Sequence, residues 1–367
     1  MSRRSEFRNQ ATLEINMSLA SFLAMRSMMA RVAGEIRLIA FDDLVELLAC
    51  IFQKHGVSGH NARILATNCA SCERDGSLSH GIFRIPGYIA SLKSGWVDGK
   101  AVPRIEEDGS SFLRVDAMNG FAQLALTAAT PFIHETVAKS GVVAAAMRRS
   151  HHFSALWPDL EPFAEKGLVA ITMVTGFLCV AAPGGRRPVL GTNPIAFATP
   201  VAGKPPLIFD FATSAMSNGD LRLAARAGHK VPNGTGIDSH GNYTDEPADI
   251  LKGGALLPFG GHKSTALSLM VEILASALTC GLFSHEVDFS KHPGAETPNT
   301  GQMLLVIDPE RGGNSFAARV LSLTEKIRAS GDVRLPSDHR YARRAGAEKN
   351  GIPIAAERLA ELRMLAS

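Results

Sequence analysis

The 367-residue chain has no Gly-x-Gly-x-x-Gly anywhere, so a Rossmann dinucleotide site cannot be argued from its fingerprint. A phosphate loop is missing too. The run Gly254-Ala-Leu-Leu-Pro-Phe-Gly-Gly-His-Lys-Ser264 comes near, but His262 splits the required Gly-Lys pair, and Pro258 and Phe259 make a poor anion nest. Around Ser79 the nucleophile-elbow pattern fails, because Ser77 stands where glycine is needed for the strained turn. Aromatic residues make up 6% of the chain, and no run approaches the ~18 uncharged apolar residues of a membrane helix. Net charge is +3 without a long basic block, which argues against nucleic acid as a partner. The five cysteines, an odd number scattered through apolar runs, read as reduced thiols of a cytoplasmic protein rather than a disulfide framework.

What is present is a soluble globular composition, 46% hydrophobic and 20% charged, with length for one large or two ordinary domains. Residues 1–35, Met-rich with several arginines, read as a poorly ordered N-terminal extension. A signal peptide fits badly, because Glu6 and Glu14 interrupt the would-be basic region. From Arg37 the pattern sharpens. Asp42 is placed to cap a helix carrying Leu44, Val45, Leu48, Ile51 and Phe52, and a second helix runs from Ser58 to Asp75. Its Cys69-Ala-Ser-Cys72 lies mid-helix, where packing explains it better than redox chemistry. Further on, strands are expected at Ser110–Val115, Val142–Met147, Leu168–Val174, Pro205–Thr213 and Gln302–Ile307. Helices are expected at Gln123–Ser140 and Ser264–Cys280. Gly228–Asp249 reads as loop, and two helical patterns after Phe316 are separated by a basic linker, His339–Arg344. Strands alternating with helices indicate α/β layers on a mixed or parallel sheet.

Asp75–Tyr88 carries the chemistry. Ser79 sits where an N-cap belongs, and a helix from there would put His80 and Arg84 on one face about one turn apart, with Pro86 kinking it just beyond. A guanidinium fork beside a titratable imidazole suits a small 2-oxo or 2-imino acid: Arg84 grips the carboxylate and His80 hands a proton to the neighbouring heteroatom. A capped, wet helix face explains the same residues. Gly260-Gly261-His262-Lys263 before an apolar helix could bind an anion or be a packing turn. Asp210, inside an apolar strand, needs a partner: either a histidine to be held in one tautomer, or backbone donors at the strand end. His151-His152 could begin a zinc site, but no third ligand follows at diagnostic spacing, and no metal is expected.

Taken in order, S-H-G-I-F-R-I-P-G-Y, R-S-H-H-F-S-A-L-W, L-G-T-N-P-I-A-F, D-F-A-T-S-A-M-S-N-G-D, A-A-R-A-G and A-L-L-P-F-G-G-H-K-S-T-A-L-S-L-M-V-E resemble the malate/L-lactate dehydrogenase superfamily from about residue 36 onward. Within it the chain is most similar to the Δ1-piperideine-2-carboxylate/Δ1-pyrroline-2-carboxylate reductases. The resemblance implies an α/β fold like that of L-sulfolactate dehydrogenase. It would have a mixed-sheet, non-Rossmann NAD(P) domain at 119–315 and a helical substrate and dimerisation domain at 36–118 with 316–367. It implies NADPH ahead of NADH, a cyclic imino-acid substrate and a homodimer with both subunits lining the site. Carried over by position, Ser79, His80 and Asp210 match a proton relay, Arg84 the carboxylate anchor, and Thr192 and Asn193 lie near substrate. His152, Phe153, Ser154, Ala155, Leu156, His262, Lys263 and the turn Asp308, Pro309, Glu310, Arg311, Gly312, Gly313, Asn314 match cofactor contacts. Ser264-Thr265 departs from the glycine and small residue expected there. The rivals are an NAD(P)-dependent 2-hydroxy-acid dehydrogenase on the same scaffold and a non-enzymatic small-anion or dinucleotide-binding protein.

Overall fold

Three antiparallel or mixed sheets and eleven α-helices, the eighth α-helix continued by a wider π-helical turn (Glu272–Ala277), make up most of the described residues of the computed structural model, which are 35–107, 109–313 and 315–367. Residues 1–34 of the expected N-terminal extension lie outside the described residues.

Chain order begins with β1 (Ile36–Ile39), α1 (Phe41–Lys54), α2 (Gly59–Arg74) and α3 (Ile85–Lys93). Their apolar stripes close on one another: Leu44, Leu48, Ile51 and Phe52 of α1 meet Leu65, Cys69 and Tyr88 in one buried cluster. Asp42 is not the cap of α1. Ala40 holds that position, and Asp42 and Asp43 lie in the first turn, where their charge faces the helix dipole. Cys69 and Cys72 are both buried and free, in keeping with a packing role.

The main sheet takes β2 (Arg104–Glu106), β3 (Phe112–Phe121), then, after α4 (Ala122–Ser140), β4 (Val142–His151); after α5 (Trp157–Glu165) come β5 (Val169–Val174), the short β6 (Val180–Ala181) and β7 (Pro188–Leu190), β8 (Ile195–Val201) and β9 (Lys204–Phe211). Gly141 ends α4 in the left-handed region, φ 81°, as its place in the sequence implies. The later part holds α6 (Asn218–Arg226), β10 (Gly236–Ile237), β11 (Tyr243–Thr244), α7 (Pro247–Leu251), β12 (Ala255–Leu256), α8 (His262–Val271), β13 (Asn299–Ile307), α9 (Phe316–Arg328), α10 (Asp338–Asn350), β14 (Ile352–Ala355) and α11 (Ala356–Ala366). The seven-stranded sheet has the order β2-β3-β4-β13-β5-β8-β9. Its β3–β4 pair is parallel and β4–β13 and β13–β5 are antiparallel, so the sheet is mixed, as expected. Both faces are covered: α4 and α5 bury Leu113, Met147 and Leu304 on one side, and Val271 and Ala275 bury Met173 and Met303 on the other.

Three expectations change. The domain boundary at residue 118 falls inside β3, because the sheet already begins at β2. The segment Gly228–Asp249 contains the start of α7 and the strands β10 and β11, which join β12, β6 and β7 in a five-stranded sheet. The basic stretch His339–Arg344 is no linker but the first half of α10. Its Arg344 pays for its charge locally, bridging Asp75 and Glu161 at 2.5 and 2.7 Å. No helix among the described residues is long and apolar enough to cross a membrane.

Candidate active site

The turn after α2 is where the sequence pattern and the backbone part company. No helix starts at Ser79. Leu78–His80 and Ile82–Arg84 form two separate 3₁₀ turns, divided at Gly81, before α3 begins at Ile85. Pro86 then sits in the first turn of α3, where its missing N–H is no loss, so it starts the helix instead of kinking it. His80 and Arg84 therefore do not share a helix face. They meet because Arg84 folds back, Nε donating to the Ser79 carbonyl oxygen at 2.7 Å.

Ser79 caps nothing. Its Oγ lies 2.9 Å from His80 Nδ1, which fixes the ring and leaves Nε2 without a hydrogen-bond partner among the described residues. Burial, then the charges of Arg84 and His152, hold the His80 imidazole well below its usual range, so the ring is neutral at pH 7. Arg84 is 9% exposed. Burial lowers its guanidinium to about 10, with Arg222 pulling the same way and Tyr88, Glu296 and Asp220 opposing, so it stays charged at neutral pH. The guanidinium lies 4.3 Å above the Phe153 ring, a contact worth about 0.5–2 kcal/mol. Phe153 in turn is wedged against Tyr88, which packs edge-on to Phe52 and Phe121. Among the described residues Nη1 and Nη2 of Arg84 make no hydrogen bond. Gly219 of α6 presses on the same spot: a Cβ there would lie 2.8 Å from Arg84 Nη2 and 3.0 Å from Ser79 Cβ.

At the end of β4, residues 152–156 are all buried. Phe153, Ala155 and Leu156 turn into the two main cores, so His152 and the backbone are what this block can offer a ligand. His152 Nε2 pairs with Asp159 Oδ2 at 2.9 Å, and Gln302 Nε2 donates to the same oxygen at 3.0 Å. The Ser154 hydroxyl is committed to Asn68 Oδ1 and lies 3.5 Å from Cys72 Sγ.

Asp210 took the blander of its two readings. Its Oδ2 accepts from the backbone N–H of Leu156 and Trp157, at 2.7 and 3.1 Å, at the start of α5. Burial raises its carboxyl while those donors, Arg340 and His152 lower it. Of the expected Ser79–His80–Asp210 relay the Ser79–His80 contact is present, and no direct hydrogen bond joins His80 to Asp210. Asp220, three residues into α6 from its cap Ser217, is the aspartate whose charge is felt at Arg84. The Ser217-x-x-Asp220 capping pattern was visible in sequence; its target was not.

Asn193 also departs from expectation. Fully buried at φ 42°, it donates to Ser268 Oγ at 2.9 Å and Glu272 Oε1 at 2.8 Å, and accepts from Gly176 N and Ser284 Oγ. Its amide is used up inside the fold and has nothing left for substrate. Thr192 is half-buried next to it; its carbonyl accepts from Thr213, and its hydroxyl makes no hydrogen bond among the described residues.

His262 and Lys263 are exposed at the first turn of α8, after Gly261 at φ 56°. Ser264 explains its own departure: fully buried, its Oγ accepts from Gly260 N at 2.9 Å and so braces the glycine turn. The Asp308–Gly313 turn does not join this group. It follows β13, whose far end, Asn299, pairs with His151 while Ile307 pairs with Val142. Eight strand steps, roughly 27 Å, separate the two ends. Instead Arg311 Nη2 donates to the Ala138 carbonyl, tying the turn to the end of α4. Asn314 lies outside the described residues.

What sequence reasoning overlooked is Arg340. Read as linker, it is delivered by α10 to 4.5 Å above the Trp157 ring, near Asp210, and its Nη1 is buried with no partner. Among the described residues no group of three or more His, Cys, Asp or Glu is disposed to hold a metal.

The family model for malate/L-lactate dehydrogenase matches residues 39–363. A Δ1-pyrroline-2-carboxylate/Δ1-piperideine-2-carboxylate reductase of Pseudomonas syringae pv. tomato is 56% identical over 329 residues, 89% of this chain and 96% of that protein. One of the same name from Pseudomonas putida is 52% identical over 328 residues, again 89% and 96%. The crystal structure of Δ1-piperideine-2-carboxylate reductase from P. syringae pv. tomato superimposes with a TM-score of 0.88 at 55% identity, covering 90% of this chain and 99% of that one. A malate dehydrogenase from Pyrococcus horikoshii follows at 0.81 and 27%, covering 91% and 96%. Sequence and fold agree across nearly the whole described chain: it belongs to the malate/L-lactate dehydrogenase family.

Proposed function

We propose that this protein reduces cyclic 2-imino acids with NADPH, taking Δ1-piperideine-2-carboxylate to L-pipecolate and Δ1-pyrroline-2-carboxylate to L-proline. Relatives that match along most of the chain are named as reductases of these two imino acids. The site observation behind the reading is the pairing, within one turn, of a charged guanidinium with two open Nη groups and a neutral imidazole with an open Nε2. The nicotinamide cofactor class follows from the dehydrogenases and reductases of the family. The residues present suit such a group: Arg340 has a buried, unpartnered Nη1 beside an indole, and the first turn of α8 offers His262, Lys263 and the positive end of a helix dipole. Arg340 is also the support for NADPH over NADH, since a buried cation suits an additional phosphate.

Arg84 holds the substrate carboxylate through Nη1 and Nη2 as a bidentate pair. Ser79 donates its hydroxyl to His80 Nδ1, which leaves the neutral ring protonated at Nε2 and able to hold or give a proton at the ring nitrogen of the substrate. A protonated imine is the better electrophile, and a bound reduced nicotinamide supplies the hydride to its C2. Asp220 and Glu296 offset part of the positive charge of Arg84 and Arg222 at the mouth of the site.

A 2-hydroxy-acid dehydrogenase is the second reading, favoured by the shared fold of the P. horikoshii malate dehydrogenase and by the fact that the same histidine and arginine serve a C=O. Following NADPH and NADH oxidation with Δ1-piperideine-2-carboxylate, Δ1-pyrroline-2-carboxylate, pyruvate and oxaloacetate side by side decides. The proposal expects the imines to lead; oxaloacetate or pyruvate in front overturns it. The support for a homodimer is the outer face of α8 and the turn that continues it, where Leu269, Ile273 and Leu278 are 55, 50 and 44% exposed.

A further inference from the structure

Ile82, midway between His80 and Arg84, is gripped from two sides. Ile82 N–H donates to Glu73 Oε2 at 3.0 Å, and the Ile82 carbonyl accepts from Arg358 Nη2 at 2.9 Å. Glu73 comes from α2 and Arg358 from α11, so two distant parts of the chain converge on one residue. Glu73 is 8% exposed, and a carboxylate so placed requires a donor. The glycine in Ser-His-Gly belongs to the same contact. A Cβ on Gly81 would collide with Glu73 Oε2 and lie 3.0 Å from the Glu73 backbone nitrogen. The packing of α2 demands glycine here.

The segment needs such a hold. Two short turns with a break at Gly81 lack the continuous hydrogen-bond ladder that would otherwise set the spacing of their side chains. We propose that Glu73 and Arg358 are positioning residues: by clamping the N–H and the carbonyl of Ile82 they set where the Arg84 fork stands relative to the His80 imidazole, and hence where the substrate carboxylate sits relative to the proton donor. This rests on the roles proposed above for His80 and Arg84.

The clamp is also sensitive to pH. Burial pushes the Glu73 carboxyl up to about 7, against the opposing pull of the Ile82 N–H and Arg358. The groups that face it are Arg358 from α11, the Ile82 N–H from the turn, and Cys69 from its own helix. Above about 7 the carboxylate is ionised and the bond to Ile82 is charge-assisted. As pH falls through about 7 the acceptor is neutralised and the clamp slackens.

The test compares wild type with Glu73→Ala, Glu73→Gln, Arg358→Met and Arg84→Met. It measures kcat and KM for the cyclic imine across neutral pH, cofactor binding by fluorescence quenching, and thermal melting. Glu73→Ala is expected to raise KM for the imine roughly tenfold or more with cofactor affinity unchanged, since small misplacements of binding groups are costly. Glu73→Gln, whose amide oxygen accepts from Ile82 without the charge, should hold KM near the raised value expected of wild type below about pH 7, short of the Glu73→Ala effect, and should abolish the change in KM with pH. Arg358→Met should give a milder form of the Glu73→Ala effect, and decides the matter if Glu73→Ala does not fold. An unchanged KM in Glu73→Ala, or an equal loss of cofactor binding, overturns the clamp, and a wild-type pH response in Glu73→Gln overturns its titration. Arg84→Met separates the two layers. A raised KM there with none in Glu73→Ala removes the clamp alone; the reverse keeps the clamp and moves the carboxylate contact elsewhere.

Discussion

Arg84 reaches back along its own turn to the carbonyl of Ser79, 2.7 Å away, and this one bond joins the proposed anchor to the residue that orients His80. The bond engages Nε alone, so the outer edge of the guanidinium is left for a ligand.

Replacing Arg84 by Met is expected to raise KM for the imino acid by about 10–100-fold, the scale of a charged hydrogen bond at about 1.5–3 kcal/mol, with a smaller change in kcat. Lysine should not rescue it, because an ammonium has neither the fork nor the Nε that ties the side chain to Ser79. Steady-state kinetics on the three forms check this.

His80→Ala is expected to lower kcat by ~10²–10⁴ at neutral pH, the range for a lost general acid. Ser79→Ala keeps the ring but frees its tautomer, and should cost roughly fivefold, about 1 kcal/mol for a neutral hydrogen bond. Equal losses in the two variants would assign Ser79 a larger part than orientation.

Acid should weaken the fold through histidine. His151, fully buried, sits between Thr297 and Asn119, and burial lowers its ring from 6.5 to about 3. Between those values the unfolded chain binds a proton that the folded chain refuses. The stabilisation is therefore complete above about 6.5 and is lost as pH falls toward 3, at about 1.4 kcal/mol per pH unit. His80 acts in the same direction. Glu73 acts the other way, since its raised carboxyl takes up a proton in the folded chain as pH falls through about 7; the His151 share is therefore read by comparison, and His151→Asn should lose about 2 kcal/mol less than wild type in urea unfolding between pH 7.5 and pH 5.

Arg340→Met is expected to raise KM for NADPH roughly tenfold, as loss of one charged contact implies, while leaving KM for NADH unchanged. A parallel loss with both cofactors would mean that Arg340 braces Trp157 and reads no phosphate.

Ile273→Glu, placing a charge on the exposed apolar face of the turn that continues α8, is expected to convert a dimer to monomer in light scattering after size exclusion. A monomeric wild type would end the dimer proposal.

Much of this protein was legible in its residues, for local reasons. The helix stop at Gly141, the buried stripe of α1 and the mixed sheet follow from periodicity and from glycine where φ is positive. The candidate pair His80 and Arg84 was legible as well, but for a reason the backbone does not share: spacing suggested one helix, and Gly81 broke it, because a helix α2 packed at backbone distance allows no side chain there. Other decisions depended on which distant segment arrives. Asp210 faces backbone donors instead of a histidine because α5 begins beside it. Asn193 is consumed by Glu272 and Ser268 because the far side of the sheet is closed by α8 and its wider final turn. Arg340 reaches the Trp157 ring because α10 crosses from the C-terminal region. Pattern along a chain reports the faces of elements; a buried charge or amide is satisfied by whatever tertiary packing brings within about 3 Å, and no spacing in sequence encodes that.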